Sequence, residues 1–204
     1  MNRLDFADTC LRKALTAVAG LVILITPSGL AAQQLQVALD PARTKINWTL
    51  GATLHTVEGT FALKSGTITF DPATGNAGGE IVVDATSAQS DNSSRDNKMH
   101  KEVLESKRYP EITFLPKHVQ GKLAEKGLST LQVQGVFHIH GADHDMTLSV
   151  SVQADSNSVT ATSDFSVPYQ AWAMKNPSTF LLKVDNSVQV KVVAVGKMAA
   201  ASGK

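Results

Sequence analysis

The region 44–195 is a succession of short segments in which apolar and polar residues alternate. Ile46, Trp48 and Leu50 are the apolar members of the first segment, and polar residues stand between them. Successive side chains of a strand point to opposite faces, so each segment predicts a strand with one buried face. Turn signals such as Asp71–Gly75 separate the segments, and strands that are joined by tight turns pair antiparallel.

The pattern predicts about eight to ten strands and almost no helix to cover their apolar faces. A sheet in this position must close on itself as a barrel or pack against a second sheet as a sandwich. The residues at inward-facing positions of these strands are candidates for the lining of a barrel interior. They are Trp48, Val57, Phe61, Ile68, Phe70, Ile81, Val83, Ile112, Phe114, Leu148, Phe165, Leu182 and Val190.

One helix is predicted over Ser93–Glu105. Ser93 or Ser94 can cap its first turn, and Met99, Val103 and Leu104 fall on one stripe, while Arg95, Lys98 and Lys101 stay outside it. A single short amphipathic helix in an all-β chain favours a lid or plug across one barrel end.

Residues 1–32 predict a cleavable export signal. Basic residues including Arg12 and Lys13 precede a 12-residue apolar stretch, 14–25, and small residues lead up to Ala32. The alternative, a transmembrane anchor, needs roughly 20 apolar residues. We therefore expect residues 33–204 to form a single periplasmic or secreted domain without a stable membrane anchor. We expect a short disordered tail from about residue 197.

Composition and motifs narrow the function further. The single cysteine, Cys10, lies in the leader, so no disulfide is expected. The formal net charge is only +1 with scattered basic residues, which disfavours nucleic acid and anionic membrane as partners. No nucleophile elbow, phosphate loop, dinucleotide fingerprint or zincin motif is present. The sequence predicts a binding protein rather than an enzyme.

The histidines offer a rival interpretation, a periplasmic metal-binding protein that uses His138, His140 and His144. Zinc requires three or four ligands around one centre, hence side chains on a common face. If residue 139 pairs with 146, His138 and His140 face outward, His140 lies opposite Asp145, and His144 has the other parity. We therefore predict no metal site.

Two segments make the chain recognisable. Ser94–His100 and then Tyr109–Phe114 resemble the arginine-aspartate helix and the following strand of the YceI-like family of exported lipid- and polyisoprenoid-binding proteins. His55 with Gly59–Phe61 resembles the second strand of that family, and residues 133–135 and 147–150 resemble a later hairpin. The resemblance extends from about residue 39 to 196 and rests on the order and spacing of these pieces. The chain departs from the family at Met99–Leu104, where many members have aromatic residues, so the identity of a ligand is not carried over.

The resemblance implies an extended, lipocalin-like, eight-stranded antiparallel β-barrel with one short helix at an end. It also implies a carrier that holds an isoprenoid or another long-chain apolar lipid, such as an isoprenoid quinone or a polyisoprenoid, with no covalent cofactor. Candidate head-group residues at the barrel mouth are His55, Arg95, His100 and Trp172. The first alternative is a structural or stress-response barrel with a filled core and no ligand. A homodimer is left open.

Overall fold

The computed structural model describes residues 34–53, 55–179 and 182–201. The predicted export signal, residues 1–32, lies outside these ranges. Within the described ranges, nine strands form one antiparallel sheet, and a short helical connection interrupts them. The strands are β1 (Leu35–Leu39), β2 (Lys45–Gly51), β3 (Thr56–Phe70), β4 (Ala77–Gln89), β5 (Glu111–Gln120), β6 (Lys126–Ile139), β7 (Ala142–Asp155), β8 (Ser158–Val167) and β9 (Val188–Ala200).

The nine strands occupy eight positions of a closed barrel. Strand β1 pairs with β3 and β9, and β2 pairs with the same two strands further along. The first position is thus one strand broken at residues 40–44, where the Asp40 carboxylate accepts a hydrogen bond from Ala42 N at 3.0 Å. Each other strand pairs with its neighbours in sequence, so the sheet returns to its starting strand. The predicted lipocalin-like β-barrel is therefore confirmed.

The predicted helix is a composite of two helical types. Helix α1 covers Ser93–Lys98, and a π-helical turn over Met99–Val103 continues it. Asn92 caps α1, because its side-chain oxygen accepts a hydrogen bond from Arg95 N at 3.0 Å. The cap is thus one residue before Ser93 and two before Ser94, the two predicted caps. None of the helical segments in the described ranges has the length and apolarity of a membrane-spanning helix.

The two ends of the barrel differ. At one end the connections are short, with turns at 71–76, 121–125 and 156–157, and residues 34 and 201 are hydrogen-bonded there. We call this the closed end. The other end carries the helical connection 90–110 and the long segment 168–187. We call it the mouth, because long connections at one end of a scaffold commonly form binding sites.

Two expectations about strand extent and register are wrong. Residues 197–200 are not a disordered tail but the end of β9, because β1, which the sequence analysis did not identify, provides a partner strand for them. In the β6–β7 hairpin, Ile139 pairs with Ala142 and not with Met146. His140 and Gly141 form a two-residue turn with φ of 53° and 76°, a geometry that matches the twist of a tight hairpin.

Candidate functional site

The barrel interior holds an elongated apolar cavity of about 750 Å³. This volume lies within the roughly 300–1,000 Å³ that small-molecule sites commonly occupy. Along β3 its lining runs from Val57 to Phe70, about 40 Å of strand at 3.3 Å per residue. With strands tilted by about 40°, this corresponds to roughly 30 Å along the barrel axis. We call this cavity the tube.

Every residue that the alternation nominated for the lining borders the tube. They are Trp48, Val57, Phe61, Ile68, Phe70, Ile81, Val83, Ile112, Phe114, Leu148, Phe165, Leu182 and Val190. Buried residues pack at both ends of the tube. The closed-end core includes Phe70, Val119 and Leu131, and the mouth-end core includes Ile112 and Tyr169.

Glycines on the inner wall help to keep the axis of the tube open. Trp48 pairs across the strands with Gly59, and its indole lies where a Cβ atom of residue 59 would be. The Phe114 ring similarly covers Gly135, with Cζ 2.6 Å from the position of a Cβ there. Both rings therefore lie flat against the wall, where a side chain on the opposing strand would push them toward the axis.

The tube is polarised along its length. The titratable side chains that border it, His55, Arg95, Lys98 and Tyr169, all come from the mouth end. Toward the closed end the lining consists of aliphatic residues and Phe70, and Thr44 and Ser163, near the middle of the barrel, are polar exceptions. A molecule with a polar head and a long apolar tail fits this distribution with its head at the mouth.

Arg95 is held firmly at the mouth by the residue before the helix. Its Nε donates to Ser90 Oγ at 2.7 Å, and its Nη2 donates to the Ser90 carbonyl oxygen at 2.6 Å. The Ser90 hydroxyl in turn donates to the Asp96 carboxylate. Ser90 is buried, so this network fixes the guanidinium against the tube wall.

Lys98 is a mouth residue that the sequence analysis missed. The helical stripe placed it outside, yet it borders the tube and its Nζ donates to the Pro177 carbonyl oxygen at 3.1 Å. Asn92 and Ser94 also contribute polar groups to the lining. These residues border the tube because the helix lies across the end of the barrel with its polar N-terminal residues toward the opening.

Contacts between loops define the shape of the mouth. Lys175 Nζ lies 2.6 Å from Glu102 Oε2, and this hydrogen bond holds the pKa of the Glu102 carboxyl below its usual value. The Tyr169 hydroxyl donates to the Asp185 carbonyl oxygen at 2.6 Å. Burial, and secondarily the charge of Asp185, raises the pKa of Tyr169 to about 12. Tyr169 therefore stays neutral at any physiological pH.

Of the four predicted head-group residues, two border the tube. His55 is exposed at the rim, and Arg95 lies on the wall. His100 does not border it, because Nε2 contacts the Ala88 carbonyl oxygen and Nδ1 contacts Ser106 Oγ, both at 2.9 Å. A carbonyl only accepts, so Nε2 carries hydrogen and His100 ties the helix to β4.

Trp172 is also a packing residue and not a head-group residue. Strands β7 and β8 pair only over Ser151–Asp155 and Ser158–Thr162, so they separate toward the mouth. The Trp172 indole stacks on the His144 imidazole with ring centroids 3.9 Å apart, and it lies 5.9 Å from the ring of Phe137. The segment 168–177 thus packs against the barrel wall where the pairing of β7 with β8 has ended.

The three histidines of the β6–β7 hairpin have separate surroundings. His138 pairs with Asp143 at 2.6 Å, and His140 lies 3.2 Å from Glu105, so the predicted opposition of His140 and Asp145 is wrong. His144 belongs to the Trp172 stack. Within residues 34–53, 55–179 and 182–201, no three histidine, cysteine, aspartate or glutamate side chains are grouped as a metal ion would require.

A closed antiparallel barrel with an apolar interior and a polar mouth defines the lipocalin-like class of intrabarrel binding folds. The sequence matches the YceI-like domain family over residues 38–195, and the chain belongs to that family. No curated protein sequence gives a significant match.

Solved structures of low sequence identity share the fold. A polyisoprenoid-binding domain from Saccharophagus degradans, implicated in plant cell wall breakdown, superposes with a TM-score of 0.63 at 14% identity, covering 80% of this chain and 98% of that one. BcnA from Burkholderia cenocepacia gives 0.62 at 20% identity, covering 77% and 98%. The YCEI protein of Campylobacter jejuni gives 0.53 at 18% identity, covering 74% and 88%.

Proposed function

We propose that this protein is an exported carrier that binds one long-chain isoprenoid, with the tail inside the tube and the head at the mouth. The observation that carries the proposal is the polarised tube, apolar over most of its length and bordered at one end by Arg95 and Lys98. Membership in the YceI-like family and the fold shared with a polyisoprenoid-binding domain support it. The protein binds and does not catalyse.

The energetics of such a tube favour long tails. Each buried methylene contributes about 0.8 kcal/mol, so about fifteen of them contribute on the order of 12 kcal/mol. Association and ordering cost about 4–15 kcal/mol, so a short tail gains too little to bind tightly. Tail length therefore sets affinity, and the mouth selects the head group.

The alternative of a filled barrel without a ligand is less well supported. A solid core has side chains that meet at the axis and leave few voids larger than a water molecule. A cavity of about 750 Å³ is far beyond such voids.

The head group is expected to be rich in oxygen acceptors. Arg95 and Lys98 only donate hydrogen bonds, and both lie at the same opening. A phosphorylated polyisoprenoid and a quinone both supply acceptors, and they differ in charge.

The variant Lys98→Gln separates these two head groups. If the head is anionic, Lys98→Gln weakens the binding of farnesyl diphosphate by about fivefold, the scale of one charge-assisted hydrogen bond, and leaves farnesol unaffected. Lys101→Gln is the matched control, because Lys101 is an exposed residue of the adjoining π-helical turn and does not border the tube. Equal effects of Lys98→Gln on both ligands would reject an anionic head group, and failure of the wild type to bind either would reject the carrier.

Export is part of the proposal and rests on the leader sequence. Its basic residues, its short apolar stretch and the small residues before Gln33 support cleavage by a signal peptidase. N-terminal sequencing of the extracytoplasmic protein is expected to begin at Ala32 or Gln33. Membrane-bound protein that retains Met1 would contradict export as a soluble carrier.

A further inference from the structure

The tube and a pocket on the outer surface come close together at one point of the closed-end core. A second pocket lies outside this end and is lined in part by Leu35, Pro72, Ala73 and Met198. Leu123 borders both this outer pocket and the tube. At this point one side chain stands between the two spaces.

The loop that carries Leu123 is fixed in place. The Leu123 side chain is half-buried and packs on the closed-end core that contains Phe70 and Val119. The next residue, Ala124, donates its backbone N–H to the buried hydroxyl of Ser129 at 2.8 Å. Leu123 is therefore held in the folded wall, where its side chain borders both spaces.

We infer that Leu123 is the residue that limits the length of the lipid tail this barrel accepts. The inference rests on the proposed function, since it assigns the tail to the closed end. A tail longer than the tube must leave methylenes in water at the mouth or pull the head away from Arg95 and Lys98. Each buried methylene raises affinity about fourfold, and a methylene that stays in water adds nothing, so affinity stops rising at the chain length that fills the tube.

Shortening Leu123 tests the limit. Affinities of delipidated protein for geranylgeraniol and for the much longer solanesol are measured for the wild type and Leu123→Ala. The wild type is expected to bind solanesol no more tightly than geranylgeraniol. Leu123→Ala is expected to bind solanesol at least about tenfold more tightly than the wild type does, because the tail passes into the outer pocket and buries more methylenes there.

Leu128→Ala is the matched control. Leu128 lies near the start of β6, just after the loop that carries Leu123; it is 69% exposed and borders neither space. Leu128→Ala removes the same side-chain atoms as Leu123→Ala and is expected to keep the wild-type preference for tail length. Equal changes in both variants would overturn the inference.

A variant that blocks the outer pocket gives an independent test of the inference. Ala73 is exposed and borders the outer pocket, so Leu123→Ala combined with Ala73→Trp fills that pocket and is expected to remove the gain in solanesol affinity. Thermal melting checks that each variant folds. Should Leu123→Ala unfold, Leu123→Val makes a smaller opening and is expected to give an intermediate preference.

The outcomes separate the two claims. If the wild type binds no prenol, the proposed function fails. If it binds prenols and the length preference is unchanged in the folded Leu123 variants, the carrier stands and Leu123 is not the limit.

Discussion

At the scale of single residues, the tube depends on where large rings meet glycines. Trp48 over Gly59 and Phe114 over Gly135 each place a bulky side chain on the wall, where it contributes apolar surface without crossing the axis. The same aromatic residues opposite larger partners would fill the interior. Glycine on an inner strand face is thus a determinant of cavity volume here.

The first prediction concerns Gly59→Ala. The added methyl group meets both the Trp48 ring and the Gln89 carbonyl oxygen, so the ring must move toward the axis. We expect a loss of about 1–3 kcal/mol in unfolding free energy, as for overpacked cores, together with weaker prenol binding. Denaturant unfolding and a prenol titration measure the two effects.

Gly78→Ala is the control for this prediction. A methyl group there meets only the Thr69 hydroxyl, at 3.1 Å, and Gly78 does not border the tube. It should leave prenol affinity unchanged. Wild-type binding by Gly59→Ala would show that the position of the Trp48 ring does not set the space for the ligand.

The second prediction concerns the ionisation of Tyr169. The folded protein holds the phenolic proton up to a pKa of about 12, whereas an unfolded tyrosine releases it near about 10. The contribution to stability is therefore fully present below about pH 10 and is lost as pH rises from there toward 12. Tyr169→Phe is expected to show a shallower alkaline decline of stability.

Tyrosinate absorbance checks the cause of this decline. The chain has two tyrosines, so the variant Tyr109→Phe leaves Tyr169 as the titrating group. Ionisation near the ordinary value while the protein remains folded would contradict the buried hydrogen bond to Asp185.

At the scale of elements, the β6–β7 hairpin depends on its two-residue turn at the mouth end of the barrel. Its turn residues His140 and Gly141 both have positive φ. His140 lies against Tyr109, with ring centroids 4.6 Å apart, and Tyr109 precedes β5. The turn thus joins the hairpin to the end of the helical connection.

The third prediction compares two glycines of positive φ. Gly141→Ala suffers both the unfavourable backbone conformation and a contact of 2.6 Å with the Tyr109 ring, whereas Gly127, with φ of 102°, has open space around it. Each substitution costs about 1–2 kcal/mol for the backbone, and Gly141→Ala is expected to cost about 1–3 kcal/mol more because of the crowding. Denaturant unfolding of both variants measures the difference, and equal costs would exclude a role for the Tyr109 contact.

The sequence predicts the features of these strands that depend on local residue patterns, and it misses those that depend on contacts between distant residues or on an unusual backbone conformation. Parity alone placed Phe61, Phe114 and Val190 on the inner wall, because alternation within a strand is local. The hairpin register could not be derived in this way, since it depends on His140 adopting positive φ, which is uncommon for a residue other than glycine. The role of β1 depends on pairing with two strands distant in sequence, for which five residues carry little local signal.

The mouth shows the same limit for candidate site residues. Arg95 was identified through the family resemblance, while Lys98 was assigned to the outer face of the helix. The helix stripe describes the helix by itself and says nothing of how it lies across the barrel. His100 and Trp172 were nominated for the head group because polar and aromatic side chains near a mouth suit ligands, yet the fold uses them to attach the helix and the segment 168–177.

At the scale of the whole molecule, the closed barrel solves two problems at once. It removes the sheet edges that would otherwise pair with other chains, and it encloses an apolar space without a second layer to cover it. The broken first strand is compatible with closure because β1 and β2 share the same two neighbours. The long segments at one end leave that space accessible.

If the tube holds a lipid, a variant with a narrower tube should lose that lipid. Ala161→Phe adds a ring to the lining, whereas Thr162→Phe adds the same ring one residue away, outside the lining. If the space belongs to a ligand, the delipidated Ala161→Phe protein keeps near-wild-type thermal stability. A core that is already full would lose about 1–3 kcal/mol.

The most direct measurement is mass spectrometry of organic extracts from wild type and both variants, purified without detergent after expression of the full chain. The carrier function predicts close to one prenyl lipid per protein in the wild type and in Thr162→Phe, and little in Ala161→Phe. No lipid in the wild type, together with marked destabilisation of Ala161→Phe, would mean a solid core and contradict the carrier function.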